Sequence, residues 1–153
     1  MKFFYYCDRQ LFTAIVAAFI HLHKLPKERT PSIDEILMIS EYDQLISGDF
    51  GVPYFLGEIY NCQIYAINFD SNVSLALQTI KNILSQRGVD FSKWCFCDIF
   101  ESKDVGNTFI QIGERLSRKL VTRPLGKYLT AIGIQKKYGE IWEMVKKEQE
   151  RHG

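Results

Sequence analysis

The stretch from residue 7 to residue 13 holds the residue types that thiol-dependent phosphoryl transfer uses. Cys7 is followed by five residues and then by Thr13, whose hydroxyl lies where a helix-like apolar run begins. Backbone N–H groups at a helix start point at an anion, and the positive end of the helix lowers the pKa of a nearby thiol. Three interpretations follow: a nucleophilic Cys7, a non-catalytic anion site, or a structural turn with a buried thiol.

The residues inside this loop favour the two non-catalytic interpretations. Arg9 supplies a positive charge, and Gln10 and Thr13 supply polar side chains, so all three are candidate anion-binding residues. Asp8 opposes a thiolate on Cys7, which is the candidate catalytic residue. Phe12 favours burial rather than a place beside a phosphate.

A second group of candidate anion-binding residues lies in the basic C-terminal part of the chain. From residue 113 onward there are ten Lys and Arg against five Asp and Glu. Arg115 and Arg118 follow the spacing of one helix face, together with Lys119, and Arg123 comes shortly after them. Such a cluster suits a phosphate or an acidic partner, and a solvated helix face is the alternative interpretation.

The remaining cysteines and histidines do not form a metal-site pattern. The four Cys include no C-x-x-C pair, and the three His do not fall at zinc-site spacings. Cys95 and Cys97 are two residues apart and therefore lie on the same face of a strand, where we expect both thiols to be buried. His21 is predicted to be a core or helix-end histidine. No metal and no cofactor are expected.

Hydrophobic periodicity predicts elements in the order β-α-α-β-β-α-β-α-α. The predicted helices lie at 11–25, from 33 until a turn at 49–51, at 73–86, and at 106–150 as two or three helices broken near 122–124 and at Gly133. The predicted strands lie at 3–7, 54–60, 63–69 and 94–100. These helices and strands predict one α/β domain over residues 1–153, in which a small mixed sheet of about four strands is covered by helices on both faces. The C-terminal helical segment, residues 106–150, is expected to pack on this domain.

The first and fourth strands are predicted to be central, because both are mostly apolar. Ligands of open α/β sheets bind at the carboxyl ends of such strands. This rule places a site at residues 7–13 and 98–104.

Composition excludes several classes of protein. The 153 residues are 46% hydrophobic and 24% charged, which is ordinary for a globular chain and not for a disordered one. A net charge of +1 gives no general attraction to nucleic acid or membranes. With no signal-like segment and no apolar run that could span a bilayer, a cytoplasmic protein with free thiols is expected.

Several short stretches, in this order, resemble an uncharacterised bacterial family, Domain of Unknown Function 3189. They lie at 6–7, 17–22, 25–26, 30–36, 49–51, 55–57, 112–113, 116–118, 123–125 and 131–133. The resemblance implies a fold and a lineage of endospore-forming bacteria, but no activity. Typical members have two glycines, a small residue, a His and two Ser between the Cys and the helix. Here residues 9–14 lack the glycines and the His, and Thr13 alone keeps a hydroxyl.

The same loop is similar to the loop of low-molecular-weight tyrosine phosphatases and to the phosphocysteine loop of phosphotransferase-system IIB components. The Arg that the phosphatases place after the fifth intervening residue is absent, because Thr13 stands there. The sequence therefore favours a non-catalytic protein that binds a small anionic ligand or a protein partner. The alternatives are a phosphatase-like enzyme that uses Cys7, and a regulatory module that acts through homo-oligomerisation or its C-terminal helices.

Overall fold

The computed structural model describes residues 1–8, 10–46, 50–69, 72–99 and 108–152. Within these ranges the strands are β1 (Lys2–Asp8), β2 (Pro53–Ile59), β3 (Cys62–Phe69) and β4 (Trp94–Asp98). The helices there are α1 (Leu11–His21), α2 (Ile33–Leu37), α3 (Glu41–Leu45), α4 (Val73–Gln86), α5 (Thr108–Ser117) and α6 (Arg123–His152). The predicted α/β class is confirmed. The second predicted helical region is two short helices, α2 and α3.

The four strands form a mixed sheet in the order β2-β3-β1-β4. β1 is parallel to both β3 and β4, and β2 is antiparallel to β3. The prediction that the fourth strand is central was wrong, because β3 lies beside β1 and β4 is at the edge. Apolar composition misled here: Trp94 and Phe96 of β4 are half-buried, as an edge strand under one helix allows.

Helices cover both faces of the sheet, as predicted. Phe3, Tyr5 and Cys7 of β1 point to the larger apolar core, which also contains residues of α1, α2, α3 and α6. Phe4 and Tyr6 point to the opposite face, where Leu77 of α4 covers them. All eleven residues of α1 are buried, so this helix is enclosed by other elements on every side.

α1 ends at His21, four residues earlier than predicted, so Pro26 is not the residue that ends the helix. His23 adopts a left-handed conformation, with φ of 57°. The backbone N–H of Lys24 donates to the Phe19 carbonyl, and that of His23 donates to the Ile20 carbonyl. These two bonds form a Schellman motif, which satisfies the last carbonyls and stops the helix.

The bounds of α4 are confirmed, and only part of its apolar residues face the sheet. Leu77 is buried, and Val73 and Ile80 pack beside it. Leu75 and Ile83 are exposed, because they lie off the row that faces the sheet.

α5 and α6 form a tightly packed antiparallel pair. A Cβ on Gly113 would lie 2.6 Å from the Gly126 carbonyl oxygen, so the two backbones approach closely only because both residues are glycines. The predicted break near residues 122–124 is confirmed. The predicted break at Gly133 was wrong: α6 continues through it, because Gly133 is another close contact, against Ile110 of α5.

α6 holds one side of the molecule together. Ile134 and Ile141 enter the larger core, and α6 also contacts α1 and α2. The Gln135 side-chain amide donates to the Pro31 carbonyl at 3.0 Å. The Tyr138 hydroxyl donates to the Pro26 carbonyl. This one helix therefore fixes the segment that connects α1 to α2.

Candidate functional site

Cys7 lies near the carboxyl end of β1, where the sequence predicts a site, but its thiol is buried. Its exposed fraction is 2%. Burial raises the pKa of Cys7 well above its ordinary value, and the negative charges of Asp98, Glu114 and Asp8 raise it further. A thiolate nucleophile needs the opposite surroundings, namely access to substrate and nearby positive charge.

The polar side chains of the loop are turned inward. Gln10 and Thr13 are both buried, and the Thr13 hydroxyl donates to the Gln10 side-chain oxygen at 3.4 Å. Gln10 precedes α1 without making a side-chain cap to it. Arg9, the third candidate in this loop, lies outside the described residues.

A buried carboxyl group occupies the start of α1. Oε1 of Glu114, from α5, accepts a hydrogen bond from the Phe12 backbone N–H at 2.7 Å. Oε2 accepts a hydrogen bond from the Tyr42 hydroxyl at 3.1 Å, and the Tyr42 ring stacks on Phe12. We call Phe12, Tyr42 and Glu114 the Glu114 cluster. It places a carboxyl group on an N–H that an oxyanion would otherwise bind.

Burial also sets the protonation of this cluster. It raises the pKa of Glu114 to about 7, while the Phe12 N–H, the Tyr42 hydroxyl and the charge of Arg118 lower it. Near neutral pH the group is therefore divided between its acid and its carboxylate. Burial likewise raises the pKa of Tyr42, so this hydroxyl remains a donor.

A cleft of about 200 Å³ opens beside the cluster. Six residues line this cleft, and they come from α1, the end of α3, the turn before β2, β3, α5 and the turn after α5. They are Leu11, Ile46, Phe50, Asn68, Glu114 and Arg118. Of the predicted anion-binding residues, Arg118 reaches this cleft. Among the predicted arginines of the C-terminal part, it is the one that the structure brings to the start of α1.

The other two arginines are placed elsewhere. Arg115 is exposed on α5 and is not part of the cleft lining. Arg123 begins α6, and its Nε donates to the Ser117 carbonyl at 3.3 Å, so it caps the end of α5. The predicted shared face of Arg115, Arg118 and Lys119 was wrong, because α5 ends at Ser117.

Glu114, Tyr42 and Asn68 were not among the predicted site residues. Glu114 carried a recognisable signal: it lies on the buried row of α5 with Ile110, Gly113 and Ser117, where an apolar residue is expected. An acid on such a row needs a partner inside the protein. Nothing in the local sequence indicates which helix supplies that partner.

The predicted burial of His21, Cys95 and Cys97 is confirmed. His21 is buried, its Nδ1 lies 2.7 Å from the Tyr5 hydroxyl oxygen, and burial lowers its pKa to about 4. Cys95 and Cys97 are buried as free thiols. The described ranges contain no group of three or more His, Cys, Asp or Glu side chains that could hold a metal ion.

The family model described as "Protein of unknown function (DUF3189)" matches residues 2–150. The chain belongs to the DUF3189 family. In this DUF3189 protein the match spans every element that builds the candidate site, from β1 to α6. No curated protein and no solved structure matches the chain. Within the described residues, no helix has both the length and the apolarity that crossing a membrane requires.

Proposed function

We propose that this DUF3189 protein is a non-catalytic binding protein that acts through a protein partner. The observation that supports this most directly is the Glu114 carboxyl group, 2.7 Å from the Phe12 backbone nitrogen. Since this group is part of the chain, it competes with any external oxyanion for the start of α1. A phosphoester substrate would have to displace it.

The surroundings of Cys7 support the same proposal. Phosphoryl transfer through a thiol needs a thiolate in line with a bound phosphate, and cationic groups that stabilise the charge of the transition state. Cys7 is buried and faces acidic neighbours instead. A small anionic ligand is a second candidate for binding, because Arg118 lines the cleft beside Glu114.

The rate of thiol alkylation against pH tests this proposal. Cys62 is half-buried near the surface and serves as the internal control, and peptide mass spectrometry separates the two thiols. We expect Cys62 to react and Cys7 to remain slow up to pH 9, because its thiolate is disfavoured. Vanadate and phosphate should not change the Cys7 rate, and p-nitrophenyl phosphate should not be hydrolysed.

Two results would decide between the alternatives. Fast alkylation of Cys7 at neutral pH, slowed by vanadate and joined to hydrolysis that Cys7→Ser abolishes, would establish the enzyme and reject the proposal. A rise in melting temperature with phosphate, lost in Arg118→Gln and kept in Arg115→Gln, would assign the binding role to a small anion in the cleft.

A further inference from the structure

We propose that the outward face of the α5–α6 pair binds an acidic amphipathic helix of a partner protein. This inference rests on the proposed binding role and names the surface and the chemistry of the partner. The outer face, as we call it, consists of six exposed apolar residues: Phe109, Ile112, Leu120, Val121, Leu125 and Tyr128.

The exposure of these six residues is unusual for this protein. Leu120 is 77% exposed, Val121 92% and Leu125 56%. Of the fourteen large hydrophobic side chains that are exposed in the described residues, six fall within the twenty residues from 109 to 128. Scattered apolar residues on a surface are normal, but a concentration of this kind is typical of an interaction site.

Helix geometry places these residues on one side of the pair. Ile110 and Gly113 of α5 face α6, whereas Phe109 and Ile112 lie on the adjacent outward row. On α6, Leu125 lies beside the row of Gly126 and Thr130 that faces α5, and Tyr128 follows one turn later at the edge of the face that is farther from α5. The turn that holds Leu120 and Val121 joins the two rows at one end.

The segment that carries the outer face is mostly positively charged. Residues 108–139 contain seven Lys and Arg and a single acid, Glu114, which is buried. Lys127 pairs with Asp43 and Lys137 with Glu140. Of the other five bases, Arg118 lines the cleft beside Glu114 and Arg123 caps the end of α5, and the remaining three are Arg115, Lys119 and Lys136. Lys136 lies at the edge of the face, with its Nζ 4.5 Å from the centre of the Phe109 ring.

This charge determines which occupant fits. A second copy of the chain would bring the same basic residues against this face, and like charges in contact oppose association. An acidic partner is attracted instead, and its carboxylates can pair with the arginines and lysines at the rim. Apolar residues of the partner would cover the exposed leucines and the valine.

The shape of the surface favours a helix. The side-chain rows of two antiparallel helices leave a groove into which a third helix can pack its own ridge. α5 has ten residues, which corresponds to about 15 Å and thus to about three turns of a bound helix. The expected partner segment has apolar residues at positions i, i+3, i+4 and i+7, with Glu or Asp on either side.

Binding of a fluorescein-labelled peptide to the full chain, followed by anisotropy, tests the inference. The probe is an 18-residue peptide with Leu at those positions, Glu on either side of them and Ala elsewhere, so that it can form a helix. A version with Lys in place of Glu and a scrambled Glu version are the controls. We expect saturable binding of the first probe, weakened by salt, with both controls at least tenfold weaker.

Matched variants locate the binding. Leu120→Asp with Leu125→Asp should weaken the probe at least tenfold. Leu75→Asp with Ile83→Asp should not, since those exposed residues lie on α4. All these side chains are exposed, and circular dichroism checks that each variant is folded.

Two peptide results would overturn the inference: no binding of the acidic probe, or equal binding of the basic or scrambled probe. Cosedimentation of the protein with phosphatidylglycerol vesicles that the probe does not displace would also overturn it. So would a dimer of the protein that Leu120→Asp dissociates. Failure of the probe with an unreactive Cys7 would reject this inference and leave the non-catalytic assignment. A reactive, phosphoester-cleaving Cys7 would reject the proposed function whatever the peptide does.

Discussion

At the scale of single residues, the Glu114 cluster decides how the candidate site is interpreted. The carboxyl group joins α1, through the Phe12 N–H, to α3, through the Tyr42 hydroxyl. Removal of a group that satisfies two buried donors leaves both unpaired, which costs about 1–3 kcal/mol for each. The Glu114 side chain is therefore a structural link between helices that are far apart in sequence. A replacement that keeps its size, such as Glu114→Gln, tests its charge without removing the link.

Glu114→Gln is expected to change how stability depends on pH. An acid whose pKa is raised to about 7 in the folded state binds more protons folded than unfolded between pH 4.5 and 7. Its contribution is thus complete below pH 4.5 and is lost as pH rises through 7. The uncharged amide lacks this change, so the stability of the wild type relative to Glu114→Gln should fall by about 3 kcal/mol over that window.

Urea denaturation of both proteins from pH 4 to pH 9 measures this difference. Glu35→Gln is the control, because the hydrogen bond from Arg29 lowers the pKa of exposed Glu35 to about 2. The contribution of Glu35 is present above pH 4.5 and is lost only as pH falls from 4.5 through 2, so the difference between wild type and Glu35→Gln should stay nearly constant over the measured range. A difference between wild type and Glu114→Gln that stays constant with pH would show that Glu114 is not a buried acid near neutrality.

At the scale of elements, the close approach of α5 and α6 sets the surface that they present. On Gly126 a Cβ would lie 2.5 Å from the Gly113 carbonyl oxygen and 2.5 Å from the Ser117 hydroxyl. Backbone atoms cannot move aside as the end of a flexible side chain can. The two helices are consequently fixed relative to each other, and so are the two apolar rows of the outer face.

Gly126→Ala and Gly139→Ala are expected to act in opposite directions, although both lie in α6. The first should destabilise the protein by about 1–3 kcal/mol, because the methyl group overpacks the helix contact. A Cβ on Gly139 would have open space within 4 Å, so the second should stabilise by about 0.5–1 kcal/mol through helix propensity. Urea denaturation of each variant measures both effects, and equal stabilities would contradict the tight crossing.

Most elements could be predicted from sequence, whereas some of their ends and the residues that meet at the candidate site could not. The bounds of α4 follow from periodicity and from the stop at residues 87–88. The end of α1 depends on a left-handed His23, which no apolar pattern reveals. Phe12 and Glu114 are 102 residues apart, and such a contact forms only when α5 packs against the start of α1. The junction of β1 and α1 was therefore predicted, but the carboxyl group that Glu114 brings to it was not.

At the scale of the whole molecule, the two sides of the sheet are unequal. One side packs against α1, α2, α3 and α6, and the other packs against α4 through a much smaller cluster. Regions with few buried apolar contacts open at a lower free energy than the rest of a protein. α4 is therefore expected to be the first of these helices to open.

Native-state hydrogen exchange should show this order. Amides of α4 are expected to exchange through an opening of lower free energy than amides of β1 and α1. Leu77→Ala should lower the protection of α4 by about 2–3 kcal/mol, because this leucine is the buried contact of the helix. Leu75→Ala, at an exposed position, should leave it unchanged. Equal protection of α4 and α1 would indicate one cooperative unit instead.

The position of α6 along the chain has a consequence for synthesis. A ribosome makes β1 and α1 well before α6, yet α6 is the helix that packs against α1 and fixes the segment after it. Until residues 123–152 emerge, the nascent chain presents an uncovered apolar surface, which is the kind of surface that chaperones hold. Completion of the larger core must then wait until α6 has been made, long after β1 and α1.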